Sequence, residues 1–151
     1  MQLDTKYFGT ISCSEENLLR FPSGFIGFED ENEFFLLPFE GSHGNLLCFQ
    51  SAKTPALAFV AMNPFSLNPA YAPELTAEEL KLMGVQCSQE LSFYTLCVVK
   101  DPVSSTTVNF RCPVAINEDT NTAMQFILEG DTYHMHHRLS EFGQKGADGS
   151  C

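Results

Sequence analysis

The chain has 151 residues, 44% of them hydrophobic and 18% charged, which is typical of one folded domain and disfavours wholesale disorder. Nineteen acidic residues against eight basic ones give a net charge of −11, and this disfavours direct nucleic-acid binding, because that affinity comes from Lys and Arg. Fourteen phenylalanines and no tryptophan favour β-sheet, since aromatic residues prefer pleated, half-buried positions.

We infer the cellular compartment from two kinds of segment that the sequence lacks. Residues 1–11 show no basic segment followed by an apolar run, and no stretch approaches the roughly 18 apolar residues of a membrane span. We therefore expect a cytoplasmic chain without membrane contact. The six cysteines include no CxxC pair that would indicate zinc or a redox dithiol. Cys48 and Cys97 lie in apolar runs, where a reduced thiol packs as a small hydrophobic group.

Short segments with strand character follow one another along the chain, separated by turn residues. They are Tyr7–Cys13, Phe34–Leu37, Leu46–Gln50, Ala56–Met62, Leu91–Val99, Thr106–Arg111, Val114–Ile116, Met124–Glu129 and Thr132–Leu139. This pattern predicts an all-β fold: one small antiparallel β-barrel over residues 1–140, with a sandwich as the alternative. Residues 141–151 are polar and glycine-rich, which predicts a flexible tail.

One segment, LTAEELKLMG, has helical rather than strand character. Thr76 and Glu79 have the spacing of a capping box, and Gly84 is placed to end the helix. The segment therefore predicts a short helix of about two turns, at about residues 76–83. We expect this helix to pack on the barrel over one mouth.

The stretch FPSGFIGFEDENEFF, residues 21–35, combines aromatic side chains, turn residues and acids. Gly24 and Gly27 allow two chain reversals, so the phenylalanines around them cannot share one regular strand. An apolar patch bordered by like charges is typical of a protein-binding surface. We therefore predict that three phenylalanines contribute to or buttress a partner surface and that four acids give it charge: Phe21, Phe25, Phe28, Glu29, Asp30, Glu31 and Glu33. The alternative is a phenylalanine core with a solvated acidic loop.

The segment HMHHR near the carboxyl end carries a second hypothesis. On a strand, His134 and His136 would face the same side, and Glu129 would complete a metal site. This keeps open a small-molecule- or metal-binding barrel, with or without enzymatic activity. No serine elbow, activated cysteine or phosphate-binding glycine loop is visible in the sequence, so we expect neither catalysis nor a cofactor.

The order of several sequence blocks resembles the FliW family of bacterial flagellar assembly factors. The blocks are FGTI (8–11), FPSGFIGFED (21–30), CFQS (48–51), AFVAMNP (58–64), DPVSSTTVNFRCPVAIN (101–117) and AMQFILEGDTY (123–133). The segment HMHHR and the carboxyl-terminal tail lie outside this pattern, so the resemblance implies nothing about them.

The resemblance implies a non-enzymatic regulator with two protein partners. Proteins of that family bind newly made flagellin in the cytoplasm. When free of flagellin, they bind the RNA-binding translational regulator CsrA and relieve its repression of flagellin mRNA. An acidic protein suits this role, because negative charge beside a basic RNA-binding surface raises the electrostatic cost of holding RNA. The expected partners are flagellin and CsrA, without direct nucleic-acid binding.

Overall fold

The structure, a computed structural model, describes residues 1–141. Its strands are β1 Gln2–Asp4, β2 Thr10–Ser12, β3 Leu19–Arg20, β4 Glu33–Pro38, β5 Leu46–Ser51, β6 Ala58–Met62, β7 Ser92–Val98, β8 Thr107–Val108, β9 Val114–Asn117, β10 Thr122–Gln125 and β11 His137–Arg138. Its α-helices are α1 Pro64–Leu67 and α2 Ala77–Met83. Apart from Glu141, the predicted tail lies outside the described residues.

Seven of the described strands close into a barrel. Neighbouring strands follow the order β7-β6-β5-β4-β3-β10-β9, and β9 pairs with β7 to complete the ring. β3 pairs with β10 in parallel at Arg20 and Thr122, whereas the remaining neighbours in this ring are antiparallel. The prediction of an all-β, barrel-like fold with a short helix is confirmed.

The barrel interior is filled by an aromatic and aliphatic core. Its buried members are Leu19, Phe21, Phe25, Phe34, Phe49, Ala61, Val114, Ile116 and Ala123. Phe21 and Phe25 do not belong to strands but to the connection between β3 and β4. This connection therefore inserts two rings into one end of the barrel and closes it.

A second core covers the outer face of β7, β9 and β10. Phe93 and Ala115 belong to this outer core, while their chain neighbours Tyr94 and Val114 pack in the barrel interior. The alternation is that of a strand, whose successive side chains point to opposite faces. The barrel wall is thus apolar on both sides here.

Helix α2 has the predicted capping box and packs in this outer core. The Thr76 Oγ1 atom accepts the N–H of Glu79 at 3.2 Å, and the Glu79 carboxylate accepts the N–H of Thr76 at 2.9 Å. Met83 packs with Phe93 on the outside of the barrel. The prediction that the helix covers a mouth is therefore wrong. The outer wall offers the helix an apolar face.

Two predicted strands are shorter than expected, one because a side chain bonds to the backbone after it and the other because it faces a proline. β8 stops before Asn109, whose side-chain Oδ1 accepts the N–H groups of Arg111 and Cys112 at 3.1 and 2.9 Å. β10 stops at Gln125, because the next residue, Phe126, lies opposite Pro113. Phe126 donates to the Pro113 carbonyl at 3.0 Å, but proline has no N–H to return the bond.

The amino-terminal hairpin of β1 and β2 forms a separate two-stranded sheet. The chain after β1 contacts the barrel, where the N–H of Lys6 donates to the buried Gln50 side chain at 2.9 Å. The rings of Tyr7 and Phe8 pack on Phe39, with centroids 5.7 and 5.0 Å apart. These contacts place Tyr7 beside the barrel wall.

Candidate partner-binding surface

The connection between β3 and β4, residues 21–32, is a compact loop that we call the aromatic loop. Its base is closed by the N–H of Phe21, which donates to the Asn32 carbonyl at 2.8 Å, and by the Asn32 side chain, which donates back to the Phe21 carbonyl at 2.8 Å. Its tip is anchored by the Ile26 N–H, which donates to the Gln125 side chain at 2.9 Å. The loop is therefore held at both ends.

Two glycines reverse the chain within the aromatic loop, as the sequence predicts. Gly24 has φ +63° and Gly27 has φ +88°, and residues that carry a Cβ atom rarely adopt such positive φ values. Gly24 also lies against the backbone, since a Cβ placed there would come within 2.4 Å of the Phe28 carbonyl oxygen. The two reversals decide which rings point into the barrel.

The inner half of the loop lies in the barrel core. Phe21 is 0% exposed and Phe25 is 1% exposed. The Phe25 ring packs 4.6 Å from Phe21, 4.8 Å from Phe34 and 4.5 Å from Phe59, centroid to centroid. Of the two roles predicted for Phe21 and Phe25, contact with a partner and support of the surface, direct contact is wrong because both rings are buried. Support of the surface stays a prediction.

The outer half of the loop is exposed and apolar. Phe28 is 44% exposed and Ile26 is 51% exposed. Phe28 is not detached from the barrel, because its ring meets Phe59 edge-on with centroids 5.2 Å apart. Ile26 was not singled out from the sequence. The sequence carried no signal for it, because which of two neighbouring loop residues points outward depends on how the glycine turns meet the barrel.

The four acids predicted to charge this surface have different environments. Glu29, Asp30 and Glu33 are exposed, and Glu31 is partly buried. The Glu29 carboxylate accepts the Gly27 N–H at 2.9 Å, and backbone hydrogen bonds lower its pKa. Glu29 and Asp30 therefore lie on the outside of the loop directly after Phe28, whereas Glu33 is exposed at the start of β4.

Glu31 instead ties the loop to the turn between β5 and β6. Its carboxylate oxygens accept the Ser51 hydroxyl at 2.7 Å and the Thr54 hydroxyl at 2.8 Å. These two hydroxyl groups lower the pKa of Glu31, because they stabilise its charged form. Glu31 therefore positions the loop, and its predicted contribution to a partner surface stays untested.

The histidine segment does not form the strand on which the metal hypothesis depends. β11 covers His137 and Arg138, so His134 and His136 do not alternate along one strand. The His134 N–H donates to the His137 Nε2 atom at 2.9 Å. Within residues 1–141, no cluster of three or more His, Cys, Asp or Glu side chains could hold a metal ion.

The cysteines in apolar runs are packed as predicted. Burial raises the pKa of Cys48 to about 11 and that of Cys97 to about 12. Both thiols are therefore protonated at neutral pH and behave as small hydrophobic groups.

A cleft with a volume of about 450 Å³ opens in the barrel wall beside the aromatic loop. We call it the β6–β7 cleft, since it is lined by residues 58–60 of β6 and 96–99 at the end of β7. Phe59 connects the two features, because it lines the cleft and its ring contacts Phe28. The sequence did not predict the cleft. Both flanking segments read as ordinary strands, and their separation is visible only in the tertiary structure.

A family model described as "FliW protein" matches residues 2–139. The chain belongs to the FliW family. The flagellar assembly factor FliW of Geobacillus sp. (strain WCH70) is 37% identical over 139 residues, covering 92% of this chain and 95% of that protein. That of Anoxybacillus flavithermus (strain DSM 21510 / WK1) is 38% identical over 139 residues, covering 92% and 94%.

The fold comparison agrees with the FliW assignment. A crystal structure of the flagellar assembly factor FliW superimposes with a TM-score of 0.85 at 35% identity, covering 92% of this chain and 96% of that one. The resemblance predicted from the sequence blocks is therefore confirmed. None of the helices formed by residues 1–141 has the length and apolar character needed to cross a membrane.

Proposed function

We propose that this FliW-family chain is a cytoplasmic flagellar assembly factor that binds flagellin and, when free of flagellin, binds the translational regulator CsrA and relieves its repression of flagellin mRNA. It acts by binding and not by catalysis. The observation that carries the proposal is the outer half of the aromatic loop. There, Ile26 and Phe28 are 51% and 44% exposed beside the exposed carboxylates of Glu29 and Asp30.

The chemistry of this surface suits a basic partner. An RNA-binding protein presents Lys and Arg side chains, since phosphate affinity depends on them. The exposed acids would speed encounter with such a surface, and the apolar side chains would slow dissociation. A chain with a net charge of −11 held beside an RNA site also repels the RNA backbone. Binding to CsrA thus weakens its hold on mRNA without the whole RNA site being covered.

The buried half of the loop prepares the exposed half for binding. Phe25 and Phe28 both contact Phe59, with centroid distances of 4.5 and 5.2 Å, so the core holds the exposed ring in place. The hydrogen bond from Gly27 to Glu29, at 2.9 Å, holds one of the acids. A surface that is ordered before binding loses little conformational entropy when a partner docks.

A charge-reversal experiment tests the loop. The double variant Glu29→Lys/Asp30→Lys should bind purified CsrA at least about tenfold more weakly at low salt, and the remaining affinity should depend less on salt. The matched control is Glu129→Lys/Asp131→Lys, which changes the net charge equally at two exposed acids after β10. Isothermal titration calorimetry at two salt concentrations measures the affinity of each double variant and its salt dependence. Equal affinities for the two double variants would remove the loop from the proposal.

A second experiment tests the identity of the partners. The purified chain, used as bait in the lysate of a flagellated bacterium, should retain flagellin or CsrA, identified by mass spectrometry. Retention of neither protein would contradict the proposed function and favour the alternative of a small-molecule-binding barrel.

A further inference from the structure

The barrel wall is incompletely paired between β6 and β7. Two residue pairs join these strands, Ala61 with Leu96 and Met62 with Thr95. Beyond Leu96, Cys97 and Val98 pair with β8. β8 and β9 lie one after the other along the same edge of β7. The other edge of β7 moves away from β6 there, and the β6–β7 cleft lies between the two strands.

Strand β6 directs backbone polar groups into this cleft. The Ser51 N–H of β5 donates to the Leu57 carbonyl at 3.0 Å, so the odd-numbered residues along β6 are those bonded to β5. Antiparallel strands alternate the direction of their N–H and C=O groups. The even-numbered residues, Ala58 and Val60, therefore direct theirs towards the cleft.

These groups are incompletely satisfied within the chain. Because Ala61 and Leu96 are paired through their neighbours, the Cys97 N–H reaches the Val60 carbonyl, which also accepts the Cys97 thiol at 3.6 Å. The open part of the edge is therefore at Ala58. Among the described residues, no backbone hydrogen bond joins Ala58 to Val99, the residue that the register would place opposite it. Such an edge is a template for a further strand, because its N–H and C=O groups pair readily with another chain.

The lining of the cleft differs in charge from the rest of the protein. It is mainly apolar, and Val98 and Val99 are 57% and 56% exposed. Within the described part of the chain, no acidic side chain lines the cleft, although the sequence contains 19 acids. The Lys6 ammonium lies 5.4 Å from the ring centroid of Tyr7, which lines the cleft, and Lys100 follows Val99 directly. Cationic groups thus border an apolar slot.

We propose that the β6–β7 cleft is a second protein-binding site, which takes an extended segment of another protein by strand addition beside β6. The segment would pair with the backbone of Ala58, cover Phe59 and Val98 with alternate apolar side chains, and place acidic residues near the two lysines. Its chemistry is opposite to that of the aromatic loop, which suits a basic partner. This inference goes beyond the proposed function and does not depend on the partners named there.

A peptide of the proposed chemistry tests the site directly. The probe is acetyl-Glu-Val-Thr-Val-Thr-Val-Glu-amide with a fluorescent label, titrated with the 151-residue chain and followed by anisotropy. We expect saturable binding below about 1 mM. In spectra of the ¹⁵N-labelled protein, amide shifts should concentrate at residues 58–60 and 97–99. A peptide with Lys in place of both Glu residues should bind at least about tenfold more weakly.

Three variants distinguish strand addition from nonspecific apolar binding. Ala58→Pro removes an N–H that faces the cleft and leaves the bonds to β5 intact, so affinity should fall at least about tenfold with little change in melting temperature. Val98→Lys should also weaken binding. Its matched control is Leu82→Lys on α2, where the parent side chain is 65% exposed and lies outside the cleft.

Several outcomes would overturn the inference. They are an absence of binding, equal affinity for the two peptides, shifts that map elsewhere, and an Ala58→Pro variant that is folded and binds the peptide unchanged. Self-association of the chain through residues 58–60 would also overturn it, since the occupant would then be a second copy. The result is independent of the CsrA experiment, because that experiment alters the aromatic loop and leaves the cleft intact.

Discussion

The two halves of the aromatic loop have the same kind of residues and opposite environments. Phe21 and Phe25 are 0% and 1% exposed, whereas Ile26 and Phe28 are 51% and 44% exposed. Phe25 and Ile26 are adjacent in the chain. Composition therefore does not distinguish a core ring from a surface ring in this loop. The direction of the backbone does, and the glycine turns set that direction.

Truncation of a ring in each half should give the largest contrast. Phe25→Ala should lower the free energy of unfolding by about 3–5 kcal/mol, because it leaves a cavity among tightly packed rings. Phe28→Ala, the matched control, should cost much less, since its ring is 44% exposed. Urea denaturation of both variants measures the difference. Similar losses for the two variants would contradict the division into a buried and an exposed half.

A methyl group on each glycine tests what sets the direction of the loop. In Gly24→Ala, the left-handed conformation alone costs about 1–2 kcal/mol. The new Cβ would also lie 2.4 Å from the Phe28 carbonyl oxygen, so the loop must shift. In Gly27→Ala, the conformational cost remains but nothing lies within 4 Å of the new Cβ. Thermal unfolding should therefore show a clearly larger fall in melting temperature for Gly24→Ala than for Gly27→Ala. An equal fall for the two variants would contradict the close contact at Gly24.

The smallest expected effect concerns the acid that holds the loop in place. Glu31 has a lowered pKa in the folded protein because the Ser51 and Thr54 hydroxyls bond its carboxylate. Its contribution to stability is therefore present above the unfolded-state pKa of about 4.3 and is lost as the pH falls through the folded-state pKa. Because the side chain is partly exposed, this contribution should stay below about 1 kcal/mol.

The comparison with Glu31→Gln isolates that contribution. The parent protein should be the more stable of the two at pH 7, and the difference should shrink as the pH falls below about 4. Urea titrations of both proteins at several pH values measure the difference directly. A difference that does not depend on pH would mean that the carboxylate charge at position 31 does not stabilise the loop.

Much of the fold was predictable because its signals are local. The capping box of Thr76 and Glu79 and the glycine at position 84 set helix α2, and the structure confirms all three. Strand positions followed from apolar and aromatic runs between turn residues. Strand ends were less predictable. The end of β10 depends on Pro113, which lies opposite Phe126 across the sheet and not beside it in the chain.

The candidate site was predicted in part. The sequence indicated an aromatic, acidic surface near residue 28, and the exposed acids and Phe28 agree with that position. It could not show that Phe25 points inward and Ile26 outward, since that depends on how the turns meet the barrel. It also could not show that Glu31 bonds to Ser51, because the partner lies 20 residues away in the chain.

The sequence by itself determined the fold class, the short helix, the acidic character and the family, because each rests on composition, on neighbouring residues or on the order of short sequence blocks. The tertiary structure alone decided which rings are buried, where helix α2 packs and that β6 separates from β7. Those features depend on contacts between distant segments. The residues of a strand do not specify whether its edge will find a partner. The β6–β7 cleft is therefore visible only in the tertiary structure.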